Sequence, residues 1–125
     1  MREGQVSLLA KHTWEQENER PMEKKTTERA VEALLKAAPG SKVILFGSQA
    51  RGDAARDSDL DFLVVEPGLR DRLGEMVRLC TVLGQMLIPA DVMVVSEDEF
   101  EKWRDTPNTL IYRARREGKI YEQVA

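Results

Sequence analysis

Residues 47–65 read GSQARGDAARDSDLDFLVV, and this stretch decides the fold of the chain. The apolar run KVILF at residues 42–46 precedes it, and DLDFLVV at residues 59–65 closes it. Both runs are rich in apolar and β-branched residues, so we predict two buried strands. Gly47 and Ser48 end the first strand, and residues 49–57 are predicted to form a short turn-helix and a loop. The stretch therefore predicts a strand, a turn and a second strand in close succession.

Helical and extended patterns alternate on both sides of this stretch. Helix caps are present at Thr26 or Thr27 and at Ser96, where Glu99 completes a capping box. The spacing of the apolar residues gives the rest of the assignment. The predicted helices cover residues 26–38, 69–87, 96–103 and 107–118, and the third predicted strand covers residues 91–95. This order of elements predicts a small α/β or α+β domain with a three-stranded mixed sheet flanked by helices.

The chain has 125 residues, which is enough for one domain. We assign residues 26–125 to that domain and residues 1–25 to an N-terminal arm, which is open to interpretation as a frayed segment, a short helix or a dimer contact.

The net charge of −3, from 19 Lys and Arg against 22 Asp and Glu, argues against nucleic-acid coat proteins and polybasic membrane binders. No apolar run reaches the ~18 residues of a membrane span and no signal peptide is seen, so we expect a cytoplasmic protein.

The chain contains one histidine, His12, and one cysteine, Cys80. One cysteine excludes an internal disulfide and a multi-thiolate zinc site. One histidine argues against a histidine metal cluster and against a Ser-His-Asp triad within one chain. Cys80 falls on the apolar face of the helix predicted for residues 69–87, so we expect it in the core. The chemistry is therefore expected to come from carboxylates, hydroxyls and the backbone.

Two aspartates, Asp59 and Asp61, stand two residues apart on the second predicted strand, so their side chains point to the same face. Asp91 opens the third strand and lies beside them if the two strands are neighbours. Converging carboxylates suit Mg²⁺ or Mn²⁺ rather than zinc. Two such ions can clamp the attacking and leaving oxygens of a phosphoryl transfer. For an isolated D-x-D pair, however, a solvated strand face is the commoner explanation.

Gly47, Ser48 and Arg51 form a candidate phosphate site at the turn. Glycine lets the backbone come close to a phosphate, and the N–H groups of a turn that leads into a helix favour an anion. The Ser48 hydroxyl either donates to a phosphate oxygen or caps the helix. Arg51 lies one turn further on, where it either reaches a phosphate or forms a salt bridge with Asp53 or Asp57.

Ten residues separate Ser48 from Asp59, so the motif reads GS-x10-DxD. With the strand, turn and strand around it, this motif resembles the DNA polymerase β-like nucleotidyltransferase superfamily, and most closely the minimal nucleotidyltransferases. The resemblance implies the nucleotidyltransferase fold. It implies that Gly47 and Ser48 hold the triphosphate of a nucleotide and that Asp59 and Asp61 bind two Mg²⁺ ions. It further implies that Asp91 helps to bind metal and deprotonates the acceptor hydroxyl.

Many minimal nucleotidyltransferases are antitoxins paired with HEPN-domain toxins. The resemblance therefore implies that this chain moves AMP from ATP to a tyrosine of such a toxin and silences it. We expect a macromolecular acceptor, because the chain lacks the C-terminal helical domain of larger relatives. Two alternatives stay open: a binding module that masks the toxin sterically, and transfer to a small molecule such as an aminoglycoside. The nucleotide base, the acceptor and a homo- or hetero-oligomeric state also stay open, and no direct contact with nucleic acid is expected.

A basic cluster lies in and after the last predicted helix. It consists of Arg113, Arg115, Arg116 and Lys119. These side chains interact with the helix C-terminus, contact an acidic partner or bind the triphosphate, and the sequence does not decide between these roles.

Overall fold

The computed structural model describes residues 8–10, 21–47, 50 and 59–123. Its strands are β1 (Leu8–Ala10), β2 (Lys42–Phe46), β3 (Leu60–Glu66), β4 (Ala90–Ser96) and β5 (Lys119–Gln123). Its helices are α1 (Pro21–Ala37), α2 (Arg72–Gln85), α3 (Glu97–Trp103) and α4 (Leu110–Glu117). The turn-helix predicted for residues 49–57 lies outside the described residues except for Ala50. Within the described part of the chain, every helix is too short or too polar to cross a membrane.

The described strands form one mixed sheet in the order β1-β5-β2-β3-β4. β2 is antiparallel to β3 and to β5, β1 is antiparallel to β5, and β3 is parallel to β4. The predicted mixed α+β fold is confirmed, and the three predicted strands are β2, β3 and β4. Three strands are nevertheless too few, because β5 and β1 extend the sheet beyond β2. Both are hard to see in the sequence, since β5 mixes polar with apolar residues and β1 has three residues.

Side chains alternate along the central strands and form two apolar clusters on opposite faces of the sheet. On one face, Phe62 and Val92 pack with α1 and α2. On the other face, Leu63 and Val95 pack with α3 and α4. Helix α1 begins at Pro21, before the predicted cap at Thr26 or Thr27, but its predicted apolar positions are all buried. These positions are Ala30, Val31, Leu34, Leu35 and Ala38.

Helix α2 is shorter than the predicted helix over residues 69–87, and it presents a different face to the sheet. Asp71 caps it by accepting a hydrogen bond from the Gly74 N–H at 3.0 Å. Its buried residues are Leu79 and Leu83, one turn apart. Cys80 is exposed, so the prediction of a core cysteine is wrong. The reason is geometric, because one residue along a helix is a rotation of about 100° away from the buried stripe.

The capping box predicted at Ser96 is present and starts α3. Ser96 Oγ accepts from the Glu99 N–H at 3.0 Å, and Glu99 Oε1 accepts from the Ser96 N–H at 2.9 Å. Arg72, the first residue of α2, pairs with the same Glu99 carboxylate. These hydrogen bonds lower the pKa of Glu99 to about 2, with the Arg72 contact as the largest cause. The start of α2 is thereby connected to the start of α3.

The last residue of β3, Glu66, carries a carboxyl group with a raised pKa. Glu66 is buried, and its Oε2 atom has no hydrogen-bond partner among the described residues. Burial, followed by a hydrogen bond with Glu75, raises the pKa of Glu66 to about 7. Arg78 pairs with Glu75 and also donates to the Ala37 carbonyl oxygen at 2.8 Å. The Arg78 hydrogen bond is the largest cause of the lowered pKa of Glu75, so the shared proton resides on Glu66.

Glu66→Gln is expected to change how stability depends on pH. Because folding raises the pKa of Glu66 from 4.5 to about 7, its contribution to stability is fully present below about pH 4.5 and is lost as the pH rises through about 7. The amide keeps the donor and the shape, so we expect no change at about pH 4 and a gain of about 1–2 kcal/mol at about pH 8. Urea unfolding at both pH values measures this difference. Glu101→Gln, on the exposed side of α3, serves as the control, and equal effects of Glu66→Gln at both pH values would contradict the prediction.

Candidate active site

Two predicted acidic residues are brought side by side by the parallel pairing of β3 and β4. Asp61 pairs with Asp91 in register. In neighbouring strands such partners lie about 4.8 Å apart and point to the same face. Asp91 and Asp59 are exposed, and Asp61 is half-buried. Asp59 precedes β3 and lies close enough to Asp61 to raise its pKa. The register therefore brings Asp61 and Asp91 together at one end of the β3–β4 pair, whereas Asp59 lies two residues before Asp61 in the chain.

The apolar cover on this face of the sheet ends before it reaches the carboxylates. Leu63 and Val65 follow Asp61 on the same face and are buried, together with residues of α3 and α4. Phe100 supplies the cover from α3, and Ile111 supplies it from α4. Asp61 and Asp91 lie at the edge of this cover, which keeps them within reach of solvent and ligands.

Gly47 lies directly against the Asp61 side chain, and its backbone conformation is one that glycine adopts readily. Its φ is +83°, in the left-handed region that side chains disfavour. A Cβ atom placed on Gly47 would lie 2.5 Å from Asp61 Oδ2. A residue with a side chain at this position would therefore strain the backbone and displace the carboxylate. The other two predicted phosphate-binding residues, Ser48 and Arg51, lie outside the described residues.

The electrostatics of Asp61 reflect its crowded position. Burial raises the pKa of its carboxyl most strongly, and the negative charges of Asp91 and then Asp59 raise it further. The positive charge of Arg113 acts in the opposite direction and lowers this pKa. The site therefore has excess negative charge, which a bound cation would offset.

Arg113 belongs to the basic cluster that the sequence left without a role. Its guanidinium lies over the Phe46 ring, 5.6 Å from the ring centroid, and Phe46 pairs with Asp61 in register. This contact and the effect on Asp61 place Arg113 beside the carboxylates. The position of Arg113 in the helix is a signal that separates it from its basic neighbours. Arg115 and Arg116 occupy the last turn of α4, where cations favour the helix C-terminus, whereas Arg113 lies in the first half.

The donor set of the site suits a hard divalent cation. Carboxylate oxygens are the ligands that Mg²⁺ prefers, and Mn²⁺ shares this preference. Within the described residues, no group of three or more His, Cys, Asp or Glu side chains could hold a metal ion as a protein cage. Mg²⁺ does not need such a cage, since it is usually held by one or two carboxylates together with substrate phosphates and water. Asp61 and Asp91, which the strand register places side by side, are therefore candidate ligands for a metal that is held partly by its substrate, and the role of Asp59 stays a prediction.

Comparison with known proteins points to one family. The family model of the nucleotidyltransferase domain matches residues 25–122. Among solved structures, the fold is similar to that of a Sulfolobus solfataricus protein assigned as a nucleotidyltransferase, with a TM-score of 0.53 and 27% sequence identity. That match covers 66% of this chain and 75% of the other. No curated protein matches the chain significantly.

Gly47→Ala is expected to destabilise the protein by about 1–3 kcal/mol, because it combines an unfavourable φ with the clash against Asp61. In an Asp61→Ala background the loss should be smaller, since only the backbone strain remains. Gly84→Ala is the matched control, because its added methyl meets nothing within 4 Å, and it should stabilise α2. Urea unfolding of the four variants measures these differences. An equal loss with and without Asp61 would show that the carboxylate does not lie against Gly47.

Asp91→Asn is expected to raise the free energy of unfolding by about 0.5–1 kcal/mol in EDTA at low salt, because like charges directly opposite each other destabilise a strand pair. High salt should reduce this gain by screening the repulsion. Asp98→Asn, in the first turn of α3, should give no gain, since an acidic side chain there favours the helix. A loss of stability in Asp91→Asn would mean that the two carboxylates do not repel each other.

Proposed function

Because the chain belongs to the nucleotidyltransferase domain family, we propose that it transfers a nucleoside monophosphate from an NTP to a hydroxyl group, with Mg²⁺ as cofactor. The in-register pairing of Asp61 with Asp91, at the edge of the apolar cover on this sheet face, is the observation that supports this proposal most directly. It provides paired oxygen ligands beside the Gly47 turn, where the backbone can come close to a phosphate.

The reaction is an in-line displacement at the α-phosphate. The acceptor oxygen forms a bond to the α-phosphorus, the bond to the oxygen that bridges the α- and β-phosphates breaks, and pyrophosphate leaves with the bond electrons. The acceptor proton passes to Asp91, which is exposed on β4 and can exchange it with water. Catalysis then rests on positioning and on the neutralisation of charge.

Asp59, Asp61 and Asp91 would hold Mg²⁺ together with the phosphates of the substrate. When bound, the metal neutralises negative charge on the nucleotide and draws electron density from the reacting phosphate. Because Gly47 has no side chain, the Asp61 carboxylate can occupy the space beside it. Ser48 and Arg51 are proposed as further ligands of the nucleotide phosphates, on the basis of the motif alone.

The acceptor side of the site is open. β4 is the edge strand of the described sheet, and Asp91 is exposed on it, so a bulky acceptor can approach from this side. This accessibility supports a tyrosine of a partner protein as the acceptor. We take ATP as the nucleotide and a HEPN-domain toxin as the partner, in line with the family that the motif resembles. The chain would then act as an antitoxin by adenylylation.

The proposal is tested by incubating the chain with Mg²⁺, ATP labelled in its α-phosphate, and the product of the adjacent reading frame as the candidate HEPN-domain partner. We expect label to enter the partner, EDTA to abolish the transfer, and Asp61→Ala to lower the rate by about 10²-fold or more. Asp98→Ala is the control and should retain the wild-type rate. No transfer by the wild-type chain, or undiminished transfer by Asp61→Ala, would overturn the proposal.

The same variants separate the alternatives. If the chain only masks the toxin, Asp61→Ala should bind and neutralise it in cells as well as the wild type does. If the acceptor is a small molecule, label should enter an aminoglycoside without any partner protein. Either outcome would replace the antitoxin mechanism proposed above.

A further inference from the structure

A cavity of about 710 Å³ lies along α4 and the residues that precede it. Arg113 and Arg116 are part of its wall. Arg113 also lies over Phe46, the register partner of Asp61, so its guanidinium connects the cavity wall with the β2 side of the carboxylates, which themselves are not among the described residues of the wall. Its volume is within the range of about 300–1,000 Å³ that is typical of small-molecule sites.

Neither of the two guanidinium groups in the cavity wall forms a salt bridge with another described residue, although the Glu117 carboxylate also lines the cavity and Arg113 lies near Asp61. By contrast, Arg115 of the same helix pairs with Asp105 and donates to the Arg104 carbonyl oxygen at 3.2 Å. Arg116 donates to Tyr112 Oη at 3.1 Å and lies over the tyrosine ring, which fixes the orientation of its guanidinium. A cavity with two such cations is suited to an anion that bears several charges.

The position of Arg113 indicates which part of the substrate it contacts. Phe46, over which Arg113 lies, is followed by Gly47, so both residues flank Asp61 from the β2 side. Asp91 flanks Asp61 from the β4 side. In an in-line displacement, the attacking and leaving oxygens lie on opposite sides of the phosphorus. If the acceptor approaches at Asp91, the leaving phosphates extend towards Arg113.

We propose that Arg113 binds the β- and γ-phosphates of the nucleotide, with Arg116 as a second cation in the same cavity. This inference rests on the proposed nucleotidyl transfer and assigns a phosphate-binding residue to it. As the α–β bridging bond breaks, negative charge accumulates on the departing pyrophosphate, and the guanidinium of Arg113 offsets it without giving up a proton. Of the three roles open to the basic cluster, Arg113 thus takes the contact with the triphosphate.

The test compares the binding of ATP and AMP, measured by titration calorimetry in the presence of Mg²⁺. Arg113→Met keeps an apolar side chain over Phe46 but removes the charge. We expect it to weaken ATP binding about 10- to 100-fold and AMP binding little, so that the preference for ATP is largely lost. Inorganic tripolyphosphate should show the same loss. Arg113→Lys should recover part of the affinity, and Arg29→Met, an equal change of net charge on α1, should change nothing.

The outcomes distinguish this inference from the proposed function. If Arg113→Met weakens ATP and AMP equally, or neither, the inference is overturned, whether or not the wild type transfers label. If the wild type transfers no label but ATP binding still depends on Arg113, the inference holds and the proposed function fails. Urea unfolding of Arg113→Met serves as the control for folding and should match that of the wild type. A general loss of structure would lower the stability and would weaken AMP binding as well.

Discussion

The parallel register of β3 with β4 is the constraint on which the site depends. It places Asp61 beside Asp91, although two like charges in such positions cost about 0.2–1 kcal/mol. The same register also buries Phe62 beside Val92, and each fully buried apolar side chain contributes about 1.5–3 kcal/mol. Apolar packing on the opposite face therefore holds the strands in register and keeps the carboxylates together despite their repulsion.

The two ends of β3 present acidic groups in contrasting environments. Asp61 begins the strand on the face of α3 and α4, where it is half-buried and near the cation of Arg113. Glu66 ends the strand on the other face, where it is buried against Glu75 of α2. Burial raises both pKa values, but Asp61 lies in register with the exposed carboxylate of Asp91, whereas Glu66 lines a separate cavity with Glu75. This difference is why the chemistry is placed at the first end, whereas Glu66 chiefly affects stability.

Helix α4 connects the core to the site. Its buried residues, Ile111 and Ala114, anchor it on the sheet face that carries Asp61. Arg113 lies between them in sequence and reaches over Phe46 towards the carboxylates. Because the helix is anchored by packing, the guanidinium is held beside the site before any ligand binds, which reduces the entropy lost on binding. The proposed substrate would therefore meet carboxylates on β3 and β4, the glycine turn after β2 and the cation of Arg113 on α4.

The sequence by itself determined the GS-x10-DxD motif, the strands β2, β3 and β4 and the capping box at Ser96, because these features depend on residues that are close in the chain. It also indicated that Asp59 and Asp61 share a face, since strand alternation is local. Only the tertiary structure decided that Cys80 is exposed, that β5 and β1 extend the sheet, and that Arg113 adjoins Asp61. Helix rotation and strand pairing depend on contacts between distant segments, and local sequence patterns do not encode them.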